Sequence, residues 1–249
     1  MPARDFFRPF TANNSCSEEL LLPEIRTNFF GPLNLTKAIM PHFRERKAGR
    51  IVHISSATSW TGGPGLGAHA ATKAAADGES VQATHLRMQA RLTPPHLALF
   101  NTMSAEIQPF GVKTLIIQPG SFRTNIAHPS KYNFPPSEAY KETMDWMRDH
   151  LAGLSGTQQG NPARFAEVVV DLVKGQGYAE GNEVPTKLLV GSDTCTFRKV
   201  WLQQEQKTLE EWEPLTGNTN FGAEPYEARK HDEVMPGAWD KIHKDIVGE

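Results

Sequence analysis

Thiols are nearly absent from this chain. Cys16 and Cys195 are its two cysteines, 179 positions apart and outside any C-x-x-C spacing. That excludes a disulfide framework and a cysteine-built zinc site, and makes a reducing cytosol the default compartment. The nine histidines fall into no metal-ligand spacing, so no metal is expected. Long apolar runs are also missing. Stretches such as Leu20-Leu21-Leu22 and Val168-Val169-Val170 are far shorter than the roughly 20 residues needed to cross a bilayer. Met1 to Cys16 holds no apolar core of a secretory signal. Charge of one sign is lacking as well. A net charge of −2 offers nothing to nucleic acid or to an anionic membrane surface. No repeat and no low-complexity tract interrupts the chain.

What is present reads as a folded α/β protein. An apolar fraction of 39% is too high for a disordered chain, and 249 residues suffice for one domain with a large core. Residues 1–22 show no clear period and read as an irregular segment. A helix is predicted from about Pro23 to Lys47, with Leu35, Ile39 and Phe43 as its i, i+4, i+8 stripe. Pro32 and Pro41 should kink or end it, because each lacks a backbone donor. Residues 50–56 (RIVHISS), 112–118 (VKTLIIQ) and 187–191 (KLLVG) read as buried strands.

A helix is predicted from about Leu66, and another over Ser137–Leu151 with Ser137 as its cap. Asn161-Pro162 opens a further helix, with a capping side chain followed by proline at the first helical position. Its expected apolar face is Phe165, Val169, Leu172 and Val173, and Gly175 ends it. Strands alternating with helices predict a parallel sheet. The domain spans 23–216 on this reading, and the charged residues 217–249 form a surface tail. His53, mid-strand, is expected in the core.

One segment carries chemistry. Ser56 ends a predicted strand, a Gly-rich loop follows, and His69 and Lys73 stand four apart on a predicted helix. Four-residue spacing puts His69 and Lys73 on one helical face. A hydroxyl, a titratable ring and an ammonium can thus surround one small pocket. Thr27-Asn28-Phe29-Phe30-Gly31 precedes this segment, and Pro119-Gly120-Ser121-Phe122-Arg123-Thr124 follows it.

In that order and spacing the residues resemble the short-chain dehydrogenase/reductase family. Its pattern is an Asn on a kinked helix, a Ser after a strand, Tyr-x-x-x-Lys 13 positions later, and then Pro-Gly-x-x-x-Thr. Ser56 lies 13 positions before His69. The resemblance covers about Asn28 to Gly222. It implies a partial Rossmann-like, doubly wound parallel sheet that lacks the first strands. The implied reaction is hydride transfer between NAD or NADP and a carbonyl or alcohol substrate. The implied catalytic set is Asn28, Ser56, His69 and Lys73. Asn28, Lys73, Pro119, Gly120, Phe122 and Thr124 are the implied cofactor contacts. A homodimer or homotetramer through the helices at 23–47 and 66–80, and a place in specialised metabolism, are further family traits.

Three features depart from the family pattern. The strand–helix units that would precede the Asn motif need on the order of 80–90 residues, whereas 27 precede Asn28 and contain no GxxxGxG. His69 stands where the family has tyrosine. An unperturbed phenol titrates near 10 and an imidazole near 6.5. The imidazole is also shorter by roughly 2 Å, so a water must bridge it to substrate. Third, Val81–Asn101, with Pro94-Pro95 inside it, reads as an insertion or as an in-frame intron translated as protein. The alternative to an enzyme is a non-catalytic remnant of the family, acting through oligomerisation or partner binding.

Overall fold

The computed structural model describes residues 18–77, 99–131 and 138–217. By its contacts the chain divides into two compact units, Met1–Gly191 and Ser192–Glu249. In the first unit, β1 (Gly49–Ile54), β2 (Val112–Pro119) and β3 (Lys187–Val190) form a parallel sheet in the order β1-β2-β3. The register pairs Gly49 with Val112 and Ile116 with Lys187. β2 is central, and five consecutive residues, Thr114–Gln118, are buried on it. A strand covered on both faces reads as a nearly continuous apolar run, which is why VKTLIIQ is recognisable before folding. The second unit is described through one helix, α8 (Ser192–Gly217), in which the Arg198 guanidinium lies 4.5 Å from the Trp201 ring centre.

The N-terminal helix runs further than its prolines predict. It comprises α1 (Glu18–Ile25), a π-helical turn over Arg26–Phe30, and α2 (Gly31–Arg46). Pro41 lies inside α2 without ending it. Pro32 acts differently. It has no N–H to give to the Asn28 carbonyl in α-register, and the ladder immediately before it widens, with Gly31 N–H bonded to the Arg26 carbonyl five residues back. The widened turn is centred on Asn28. Such π-turns interrupt helices frequently at functional sites.

The expected stripe on α2 is one residue out of phase. Leu35 is 75% exposed and Ile39 is exposed, while Thr36 and Met40 are buried. Met40 packs with Ile107 and Val112, and Phe43, Ile51 and Met103 close around them. Phe43 lies i+4 from Ile39 and i+3 from Met40, so it belongs to both candidate stripes. The sheet selects the second. At the far end of α2, Lys47 is left-handed (φ 51°), and Gly111 (φ +71°) sits so close that a Cβ would come 2.1 Å from the Lys47 carbonyl. Glycine is required at that junction between α2 and β2.

The remaining helices follow their local signals. α3 (Thr58–Thr61) and α4 (Gly67–Asp77) come directly after β1. α5 (Leu99–Ile107) leads into β2. Residues 78–98, and with them most of the expected insertion, lie outside the described residues. So do 1–17, 132–137 and 218–249, which include the expected Ser137 cap and the charged tail. α6 (Lys141–Leu154) follows a short 3-10 turn over Glu138–Tyr140. α7 (Pro162–Lys174) is capped as predicted, with Asn161 Oδ1 accepting from the Ala163 and Arg164 N–H groups at 2.9 and 3.3 Å, and with Gly175 left-handed after its end. Leu172 of α7 is buried with Leu115 and Ile117 of β2, and Phe165, Val168 and Val169 pack against them. Val173, expected on that face, is exposed instead.

Candidate active site

Ser56 is held at the carboxyl end of β1 by its neighbours. Ser55 N–H donates to the Ile117 carbonyl at 2.7 Å and Ala57 N–H to the Pro119 carbonyl at 3.2 Å. The parallel ladder thus continues past Ile54 and ties Ser56 beside Pro119-Gly120, where β2 ends. Gly120 N–H in turn bonds the Val190 carbonyl of β3 at 2.9 Å. Carboxyl ends of adjacent parallel strands are where open α/β sheets bind ligands. Ser56 Oγ accepts from Thr58 N–H and from Thr58 Oγ1, at 3.2 and 2.8 Å.

Helix α4 brings Lys73 to the same end, with His69 one turn earlier on it. Lys73 Nζ donates to the Ile54 carbonyl, the last residue of β1, at 2.9 Å. Burial lowers the Lys73 pKa, and the opposing charges of Asp77 and Glu24 recover only part of that shift. His69 is 8% exposed. The π-turn places Asn28 against α4, with Asn28 Nδ2 donating to Thr72 Oγ1 at 3.3 Å and to Glu24 Oε2 at 2.6 Å. Thr72 Oγ1 donates to the His69 carbonyl at 2.8 Å. Asn28, His69 and Lys73 are therefore joined through one turn of α4, while Ser56 belongs to the adjoining strand end.

The later motif is arranged separately. Phe122 bridges to Gly160, and its ring tilts against Phe165 at 4.8 Å between centres. Thr124 Oγ1 caps the turn over Asn125–Ala127 by accepting from Ile126 N–H at 3.2 Å.

Two acidic residues complete the site and were not anticipated as parts of it. Glu24 stands one helical turn before Asn28, and its Oε2 is 3.9 Å from His69 Nδ1. Asp77 stands one turn after Lys73 and is fully buried. Its carboxylate accepts from Ser55 Oγ and, at 2.8 Å, from Gln118 Nε2, and His53 Nε2 lies 3.5 Å away. His53 stacks on Phe100 at 4.2 Å, in the core as expected. Burial raises the Asp77 pKa, but His53, Ser55, Gln118 and Ser59 together outweigh it and hold the carboxyl below its ordinary value. The signal for both acids was i, i+4 spacing to a residue already singled out.

Residues 9–88 match the family model described as short chain dehydrogenase. The match spans the Asn motif, the strand-end serine and the His69–Lys73 helix. Over these residues the chain is similar to the short-chain dehydrogenase/reductase family. Among its relatives, the oxidoreductase BOA17 of Botryotinia fuckeliana is 25% identical over 82% of this chain and 67% of its own length. The uncharacterized oxidoreductase YusZ of Bacillus subtilis is 26% identical over 68% of this chain and 56% of its own length. Human 11-beta-hydroxysteroid dehydrogenase type 2 is 35% identical over 47% of this chain and 22% of its own. The chain thus spans between about a fifth and two thirds of these relatives. A short-chain dehydrogenase from Streptomyces avermitilis superposes with a TM-score of 0.63 at 28% identity, over 86% of this chain and 69% of that one. The parallel sheet agrees with that neighbour in fold.

Proposed function

We propose that the protein is an NAD(P)-dependent oxidoreductase acting between a carbonyl and an alcohol. This reading is supported by the Lys73 bond to the end of β1 that also bears Ser56, and by Asn28 and His69 on the adjoining turn of α4. The donor set suits the nicotinamide end of the cofactor. Lys73 supplies a cation at the strand end, and capping occupies a lone pair of Thr124 Oγ1 while leaving its hydrogen to donate. The bound cofactor supplies or accepts the hydride at the substrate carbon. Ser56 holds the substrate oxygen by a hydrogen bond. His69, with a bridging water, gives that oxygen a proton in reduction and takes one in oxidation. Lys73, Pro119, Gly120, Phe122 and Thr124 are assigned to the nicotinamide and its ribose. The cofactor is NADP or NAD.

Fluorescence titration with NADPH and NADH tests the assignment. Saturable binding is expected, and Lys73→Met should weaken it. No saturation at millimolar cofactor would select the second reading, a non-catalytic family remnant, which the histidine at the tyrosine position favours. Where binding is found, His69→Tyr should raise turnover, by an amount within the roughly 10²–10⁴-fold that a well-placed acid/base supplies. Unchanged turnover removes His69 from the catalytic set. Exposed Leu35 and Ile39 on α2 support assembly through that helix as a homodimer or homotetramer.

A further inference from the structure

We infer that Asp77 is a positioning residue: its buried carboxylate ties the helical turn that bears Lys73 to the strand end that bears Ser56, and supplies the Lys73 ammonium with a fixed counter-charge. The part this site plays in hydride transfer rests on the reading above, but the tie itself is a property of the protein alone.

Three consecutive residues at the end of β1 are each held by a side chain. Lys73 Nζ donates to the Ile54 carbonyl at 2.9 Å. Ser55 Oγ donates to Asp77 Oδ2. Ser59 Oγ donates to the Ser56 carbonyl at 2.8 Å. The third link returns to the same carboxylate. Gln118 Nε2 donates to Ser59 Oγ at 3.0 Å and to Asp77 Oδ2 at 2.8 Å. Gln118 is also the residue before Pro119-Gly120. Asp77 Oδ2 thus gathers α4, the end of β1 and the end of β2. Lys73 and Asp77 are four apart on α4 and share a face of it. Two side chains one turn apart therefore grip two successive residues of the strand end.

The side chain at position 77 is fully buried, where a charge is costly unless it is paired and hydrogen-bonded. An ionised carboxylate only accepts, and Ser55 Oγ and Gln118 Nε2 both arrive as donors. The charge of Asp77 acts to keep the Lys73 amine protonated against burial. Glu24 of α1 acts in the same direction. His69 stands one turn before Lys73 on α4, and His53 of β1 places its Nε2 3.5 Å from Asp77 Oδ1. The reaction proposed above uses Lys73 and Ser56; Asp77 holds both in place without entering it.

Two measurements on the full chain test the two halves of this role. Lysine labelled with ¹³C at Cε reports the Lys73 titration by ¹H–¹³C correlation, and Lys73→Met assigns the resonance. In Asp77→Asn the Lys73 midpoint should move to lower pH than in the native protein, because an opposing charge has been removed. Amide hydrogen exchange at Ser55 and Ala57, whose N–H groups bond the Ile117 and Pro119 carbonyls, reads the tie and should quicken in the same variant. Met40→Ala, which loosens the cluster around Val112 at the other end of β2, should leave the Lys73 midpoint in place and disturb those two amides less. It separates positioning from loss of stability alone. Asp77→Ser serves if the asparagine variant fails to fold. An unchanged Lys73 midpoint or unchanged exchange in a folded Asp77 variant, or equal changes in Met40→Ala, overturns the inference. Neither measurement needs a cofactor. Both expected changes in a chain whose native form binds no NADPH would therefore support the role of Asp77 and overturn the enzyme reading alone.

Discussion

At the scale of single residues, the site is governed by charges that the fold takes out of water. Asp77 is the clearest case. Its carboxylate has no exposure, yet the polar side chains around it, His53, Ser55, Gln118 and Ser59, hold its pKa below the ordinary value. Its folded pKa therefore lies below the unfolded value. The stability it contributes is fully present above the unfolded carboxylate range, near 3.9, and is lost as pH falls through that range toward the folded value. Urea midpoints measured between about pH 6 and pH 3 should fall in the native protein and fall less steeply in Asp77→Asn. At neutral pH that variant should be less stable by roughly 1.5–3 kcal/mol, the usual worth of hydrogen bonds to a charged group. Equal stability of the two proteins at neutral pH would remove the network from the account. Lys73 has the opposite character. Burial lowers its pKa, and the charges of Asp77 and Glu24 recover only part of that shift.

At the scale of elements, the N-terminal helix decides how much of the site can form. Its π-turn brings Asn28 and Glu24 against α4, and Pro32 supplies the missing donor that favours the wider turn. The asparagine motif and the proline were legible before folding, but the π-turn was not. A helical pattern has the same apolar positions whether one turn is wide or regular. The packing face of α2 was misread for a related reason. Leu35 and Met40 are equally apolar, and only the position of β2 and α5 distinguishes them. Met40→Ala should cost about 2–5 kcal/mol, while Leu35→Ala should stay within about 0.5 kcal/mol. Thermal or chemical unfolding of the two variants checks this, and the reverse order would restore the stripe read from spacing.

At the scale of the whole molecule, the exposed apolar side chains of α2 bear on assembly. Phe30, Leu35 and Ile39 are all exposed on the first unit. If this helix joins copies, Leu35→Glu should lower the sedimenting mass without lowering the monomer's melting temperature. An unchanged mass would place the interface elsewhere.

The sequence by itself determined the parallel α/β class, the three described strands and the capped helix at Asn161. Those features are local. They depend on spacing, strand periodicity and caps, which a chain carries before it folds. The tertiary structure alone decided which face of α2 is buried, where the helix widens, and that Glu24 and Asp77 flank the site. These depend on which surfaces meet, and on the cost of leaving a buried polar group without a partner. The histidine at position 69 was visible in the sequence as a substitution; the carboxylate facing its Nδ1 became visible only when two distant helices were packed together.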